Sequence, residues 1–161
     1  MHVQKKSRNN LLTSVIILTV AIAFACCNRK TIFSHYETIS SDGWNRRDTI
    51  CFSINPSEKT ESATGLLSIR VNENYPFTAL SLVVNQQIIP NGAHYQDTLY
   101  FTLVDNKGRF LGQGINHHTF QHPLHIYELG EDQHLSVKVH HLMTQQRLPG
   151  IINVGISLEH N

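Results

Sequence analysis

Histidine is the residue type with chemical capacity that this chain holds in excess. Of eleven histidines, seven fall between His117 and His141. His117, His118, His122 and His125 form a cluster, and His140 and His141 form a later pair. Neutral imidazole is a common ligand for zinc, copper or nickel, which makes the four clustered residues the candidate metal set. Successive residues of a strand face opposite ways, so neither His117 with His118 nor His140 with His141 can share an ion without a bend. No closed ligand set is visible. The spacing therefore favours histidines standing in for polar residues on wet faces and loops. A metal or glycan site, or a pH response, is the alternative, and no cofactor is expected.

Other chemistry has less support in the sequence. There is no Gly-x-Ser-x-Gly, His-Glu-x-x-His, phosphate loop or Cys-x-x-Cys. Cys51 sits in the apolar run Thr49–Ile54 and is expected to be a small buried thiol, not an activated nucleophile. The chain is accordingly expected not to be an enzyme. Among the aromatics Trp44, Tyr75, Phe77, Phe110 and Phe120, core packing is the ordinary role. Trp44 with the Tyr75-Pro76-Phe77 turn is the candidate partner-binding surface, because loops carry binding and a proline lowers the ordering cost.

The N-terminus reads as an address. Lys5, Lys6 and Arg8 precede an uncharged run from Leu11 to Ala25, which ends in Ala23-Phe24-Ala25-Cys26-Cys27. A basic flank, a short apolar core and small residues make an export signal, too short for an ordinary spanning helix. The cysteine after Ala25 makes the stretch similar to the lipobox of bacterial lipoproteins, in which that thiol is acylated and becomes residue one. Cys26 is the expected lipidation site, tied to the membrane by its acyl chains. Residue 27 is not Asp, and no acidic cluster follows. The expected address is the outer membrane, facing the periplasm.

Without Lys5, Lys6 and Arg8, ten basic residues face twelve acidic ones. That balance argues against nucleic acid as a partner. Residues 26–45 are expected to be an arm and 46–161 one domain. Short apolar runs with turn residues between them fill that domain. They lie at 49–54, 65–71, 80–85, 98–104, 109–114, 125–127, 135–139 and 151–158. Several alternate strictly: Leu67, Ile69 and Val71 share one face, as do Leu99, Phe101 and Leu103. Asp105-Asn106-Lys107-Gly108 is a turn by chemistry. About eight such strands without a long helical period predict a single all-β, antiparallel β-sandwich. Pro56–Ala63 is expected to be a mobile loop, and Leu142–Arg147 one helical turn.

Four stretches in this order resemble the gliding-motility lipoprotein GldH family of the phylum Bacteroidetes. They are Phe33, Tyr36, Trp44 and Asp48; Asn74 through Leu80; Asp97 through Phe101 with Asp105, Gly108 and Leu111-Gly112-Gln113-Gly114; and Leu148 through Ile156. Phe110 stands where that family usually carries Trp. The resemblance implies an all-β lipoprotein tied to gliding machinery and its secretion system. Its expected partners are the membrane, through the lipid on Cys26, and other envelope proteins.

Overall fold

Alternation of apolar and polar residues fixes which side of each strand is buried. Nearly every apolar row closes on one core. The computed structural model describes residues 31–55 and 60–160. The expected export signal at 1–25, the expected lipidation site Cys26 and residues 56–59 lie outside them. In chain order the strands are β1 (Thr31–Thr38), β2 (Trp44–Asn45), β3 (Ile50–Ile54), β4 (Thr60–Val71), β5 (Ala79–Ile89), β6 (His94–Thr102), β7 (His118–Leu129), β8 (His134–His141), β9 (Arg147–Leu148) and β10 (Ile151–His160). They form two four-stranded sheets, β1-β10-β4-β7 and β3-β8-β5-β6, and a small β2-β9 pair. Every pairing is antiparallel. The fold is an all-β sandwich.

Its interior is built from the inward rows: Leu67, Ile69 and Val71 of β4, Val154, Ile156 and Leu158 of β10, and Leu135, Val137 and Val139 of β8, all buried. Full burial of one such side chain contributes about 1.5–3 kcal/mol, set against the entropy of ordering the chain.

The parity of β7 changes midway. Thr64 pairs with Ile126 and Leu66 with Pro123, so Gly65 alone opposes Leu124 and His125. Two residues against one is a β-bulge. A Cβ at Gly65 would lie 2.6 Å from the Tyr127 ring, so only glycine fits beneath it. The bulge lets His118, Phe120 and His122 before it, and His125, Tyr127 and Leu129 after it, share one face.

One end of the sandwich is interlocked by its loops. The Asn72 amide donates to the Gly150 carbonyl, the Leu103 amide to Thr78 and the Arg46 amide to Gln146. Asp105 Oδ1 accepts the amides of Lys107 (2.8 Å) and Arg109 (2.9 Å), which makes the turn its residues predict. The Arg109 amide, foremost, holds the Asp105 carboxyl below its usual range, with the Lys107 amide and the Arg109 side chain adding to it.

Four expectations are corrected. The arm does not extend to residue 45. Thr31–Thr38 is an edge strand on β10, with Tyr36 lying over Gly155 and the Arg70 guanidinium 4.5 Å from its ring centroid. Cys51 is exposed and free, because Phe52 and Ile54 take the inward parity of β3. Leu142–Gln146 is irregular, leading into β9, not a helical turn. Thr60–Ala63 belongs to β4, not to a loop.

Candidate functional site: the flank between β6 and β7

β6 and β7 are the edge strands of the two sheets on one side of the sandwich. Three of the four clustered histidines lie along this flank, each against a different ring. His118 stacks on Phe110 with centroids 4.2 Å apart. His122 meets Phe101 edge-on at 5.9 Å. His125 stacks on Tyr95 at 3.9 Å. His117 is exposed and bonds the Asn116 carbonyl through Nδ1. Among the described residues, no group of three or more His, Cys, Asp or Glu side chains could hold a metal ion. The expected metal set of His117, His118, His122 and His125 is therefore not brought together. Three of these imidazoles act as half-buried aromatic rings that close the flank.

A chain of polar side chains crosses the flank. The Tyr127 hydroxyl donates to Gln86 Oε1. Gln86 Nε2 donates to Asp97 Oδ2 at 2.6 Å, and His125 Nε2 donates to the same oxygen at 3.0 Å. Gln86 is fully buried and Tyr127 nearly so. Burial raises the Tyr127 pKa and keeps the phenol neutral as a donor, an effect only partly opposed by the His125 backbone bond. The chain thus ties β5 and β6 of one sheet to β7 of the other. Tyr127→Phe should leave Gln86 Oε1 buried without a donor and cost about 1–3 kcal/mol, measured by urea unfolding. An unchanged midpoint would mean the bond contributes nothing.

Neither Gln86 nor Asp97 stands out from the sequence as a site residue. A signal for Gln86 exists: it shares the inward parity of β5 with Leu80, Leu82, Val84 and Ile88. A polar residue in an apolar row needs a partner. Beside the polar chain lies a cleft of about 340 Å³, lined by Ile88, Gly92, Tyr95, Ile126, Glu128 and Gln133 among others.

The expected partner surface is corrected as well. Trp44 and Tyr75 are 2% and 4% exposed. Trp44 Nε1 donates to the Asp48 carbonyl at 3.2 Å, and the Tyr75 hydroxyl donates to Ala79 O at 2.9 Å. Phe77 is half-buried, edge-on to Tyr75 at 5.7 Å. Only Pro76 of that group is exposed. These rings serve the core because their polar tips find backbone partners inside it.

The later histidine pair is split by strand parity. His141 is buried and His140 half-buried. His141 Nε2 donates to the Trp44 carbonyl at 3.2 Å, while Nδ1 is buried with no partner among the described residues. Burial, foremost, lowers its pKa; the Trp44 carbonyl opposes this, and Arg46 and His140 reinforce it. The unfolded chain, with His near 6.5, then binds this proton more readily than the fold does. The contribution is complete above about pH 6.5 and shrinks as pH falls below it toward the lowered value. His141→Gln should flatten that part of the stability-versus-pH curve. An identical slope in the variant would contradict the assignment.

Comparison with known proteins adds the family. The GldH lipoprotein family model matches residues 31–158. The gliding motility lipoprotein GldH of Flavobacterium johnsoniae is 30% identical over 101 residues, which are 63% of this chain and 62% of that one. A gliding motility lipoprotein GldH homolog of Christiangramia forsetii is 27% identical over 100 residues, 62% of this chain and 59% of its own. Each match spans less than two thirds of the relative's length. One chain of the dimeric latent PorU from Porphyromonas gingivalis superposes with a TM-score of 0.31 at 10% identity, over 84% of this chain and 14% of that one. A likeness at that level bears on neither fold nor role. The family match covers the sandwich from its first strand into its last, and on that match this chain belongs to the GldH lipoprotein family.

Proposed function

We propose that this chain is a non-catalytic accessory lipoprotein of the cell envelope, held at the outer membrane by acyl chains on Cys26 and facing the periplasm. It works through contacts with other envelope proteins, as a structural or assembly component of gliding or secretion machinery. The observation that carries this reading is the family match over 31–158 in a chain whose N-terminus is patterned for export and acylation. Gliding motility is in the names of the relatives; for this chain it is part of the proposal. Exposed apolar side chains support the protein contacts: Ile115 is 90% exposed, Tyr100 74% and Ile126 60%. Side chains of this kind anchor interfaces. The packed histidines withdraw support from the metal alternative.

The test is mild crosslinking in intact membranes, followed by purification of the full chain. Recovery with a defined set of envelope proteins is the expected outcome. Recovery as a free monomer under all crosslinking conditions would overturn the accessory role.

A further inference from the structure

The four outer edges of the two sheets are unequally protected. An edge strand presents unpaired backbone groups, and folds blunt such edges with prolines, bulges, charges or short strands. β7 carries Pro123 and its bulge. β1 has a register shift between Thr31 and Phe33, and also Glu37. β3 is five residues long. Of these devices β6 carries a single charge, Asp97, which is turned inward and taken up by Gln86 and His125. The strand runs nine residues, pairs with β5 in unbroken register from Thr102 to His94, and holds no Pro, Lys or Arg. Its outward row is His94, Gln96, Thr98, Tyr100 and Thr102, all exposed and none carrying a fixed charge. Just beyond its end, Leu111 already adds to the open side, its amide donating to the Leu103 carbonyl. The chain then leaves that edge, because Gln113 bridges to Thr119 of β7.

We propose that the open edge of β6 takes up an extended segment of a partner protein by strand addition, and that this segment is uncharged in its middle and basic at the end lying over Glu128. Main-chain bonds would supply affinity and alternate side chains specificity. The basic end follows from the charges on the flank. β6 and β7 carry Asp97 and Glu128 and no cation, and Asp97 already accepts from Gln86 and His125. Glu128 lines the cleft beside Tyr95 and Ile126 and has room for a lysine stem. A second copy fits less well. The β6 of a second copy has no Lys or Arg to set against Glu128.

This inference rests on the accessory reading above. Membrane crosslinking tests that reading by itself, whereas amide exchange on β6 tests the edge alone. The probes are two acetylated nine-residue peptides of alternating valine and threonine, one with lysine at both ends and one with glutamate. Each is added to the full-length lipoprotein in detergent micelles, and hydrogen–deuterium exchange is read by mass spectrometry. The lysine peptide should slow exchange within residues 94–102 by about tenfold at ten times its Kd, leaving 31–38 and 50–54 unchanged. The glutamate peptide should bind about tenfold more weakly, since like charge opposes docking. Glu128→Lys should reverse that order while leaving the exchange of the free protein as it was. Absence of slowing at millimolar peptide would overturn the proposal, as would equal slowing at all open edges. Slowing that rises with protein concentration without peptide would assign the edge to a second copy and overturn the proposed occupant.

Discussion

Trp44→Ala should lower the unfolding free energy by about 3–5 kcal/mol, the range for removing a buried large aromatic. The indole is 2% exposed and seals the interlocked end of the sandwich. Its strand β2 pairs with β9, placing Trp44 opposite Leu148. Its ring meets His141 edge-on at 5.3 Å, and its carbonyl accepts the bond from His141 Nε2. Alanine would empty the space and leave the Asp48 carbonyl without the indole donor. Urea unfolding of a chain lacking residues 1–26 reads the effect directly. A partner-surface role would give the opposite pattern, with binding lost and the midpoint unmoved. Trp44→Phe should recover part of the loss, because the ring returns without the N–H.

Gly150→Ala should cost about 2–5 kcal/mol. Two causes add. Gly150 has φ +79, a region where a Cβ costs about 1–2 kcal/mol. That Cβ would also stand 2.2 Å from the Tyr75 backbone nitrogen, and overpacking against fixed atoms typically costs about 1–3 kcal/mol more. Relief requires parting the 148–151 turn from the 72–75 turn, which also breaks the bond from the Asn72 amide to the Gly150 carbonyl. Gly108→Ala is the control. Its φ is similarly positive at +78, yet nothing lies within 4 Å of the added atom, so only the conformational part should be seen. Equal losses at 150 and 108 would show that the close approach to Tyr75 contributes nothing.

These two sites lie among several of the stretches that resemble the family. Trp44, the Asn74–Leu80 turn, the Asp105 turn and Leu148–Gly150 meet at one end of the sandwich. Each supplies a backbone bond, a close approach or a buried ring there.

The sequence was most legible where period-two alternation was strict. β5, β6, β8 and β10 were readable from apolar rows that enter one core. β1 was not, because an edge strand on a sheet buries little: three of its eight positions are half-buried and the rest exposed. The first half of β7 was hidden by His118, His122 and Pro123, which read as loop residues. On the flank the imidazoles behave as apolar rings, and an edge strand tolerates the proline. β2 and β9 are two residues each and carry no period. The polar chain depended on pairs such as Gln86 with Tyr127, 41 residues apart, which only the fold brings together. The outward thiol of Cys51 has a local cause: Phe52 and Ile54 take the inward parity of β3, so the apolar run is not buried as a whole.

Attachment to the bilayer is the claim on which the accessory role depends. Each buried acyl methylene contributes about 0.8 kcal/mol, so several chains hold a protein where one does not. Intact mass and detergent-phase partitioning of the chain purified from membranes, beside Cys26→Ser, tests it most directly. A polypeptide that begins at Cys26, carries the added mass of acyl chains and stays in the detergent phase, with the serine variant unprocessed, is the predicted result. A chain that keeps residues 1–25, or a serine variant processed and partitioned like the parent, would contradict it.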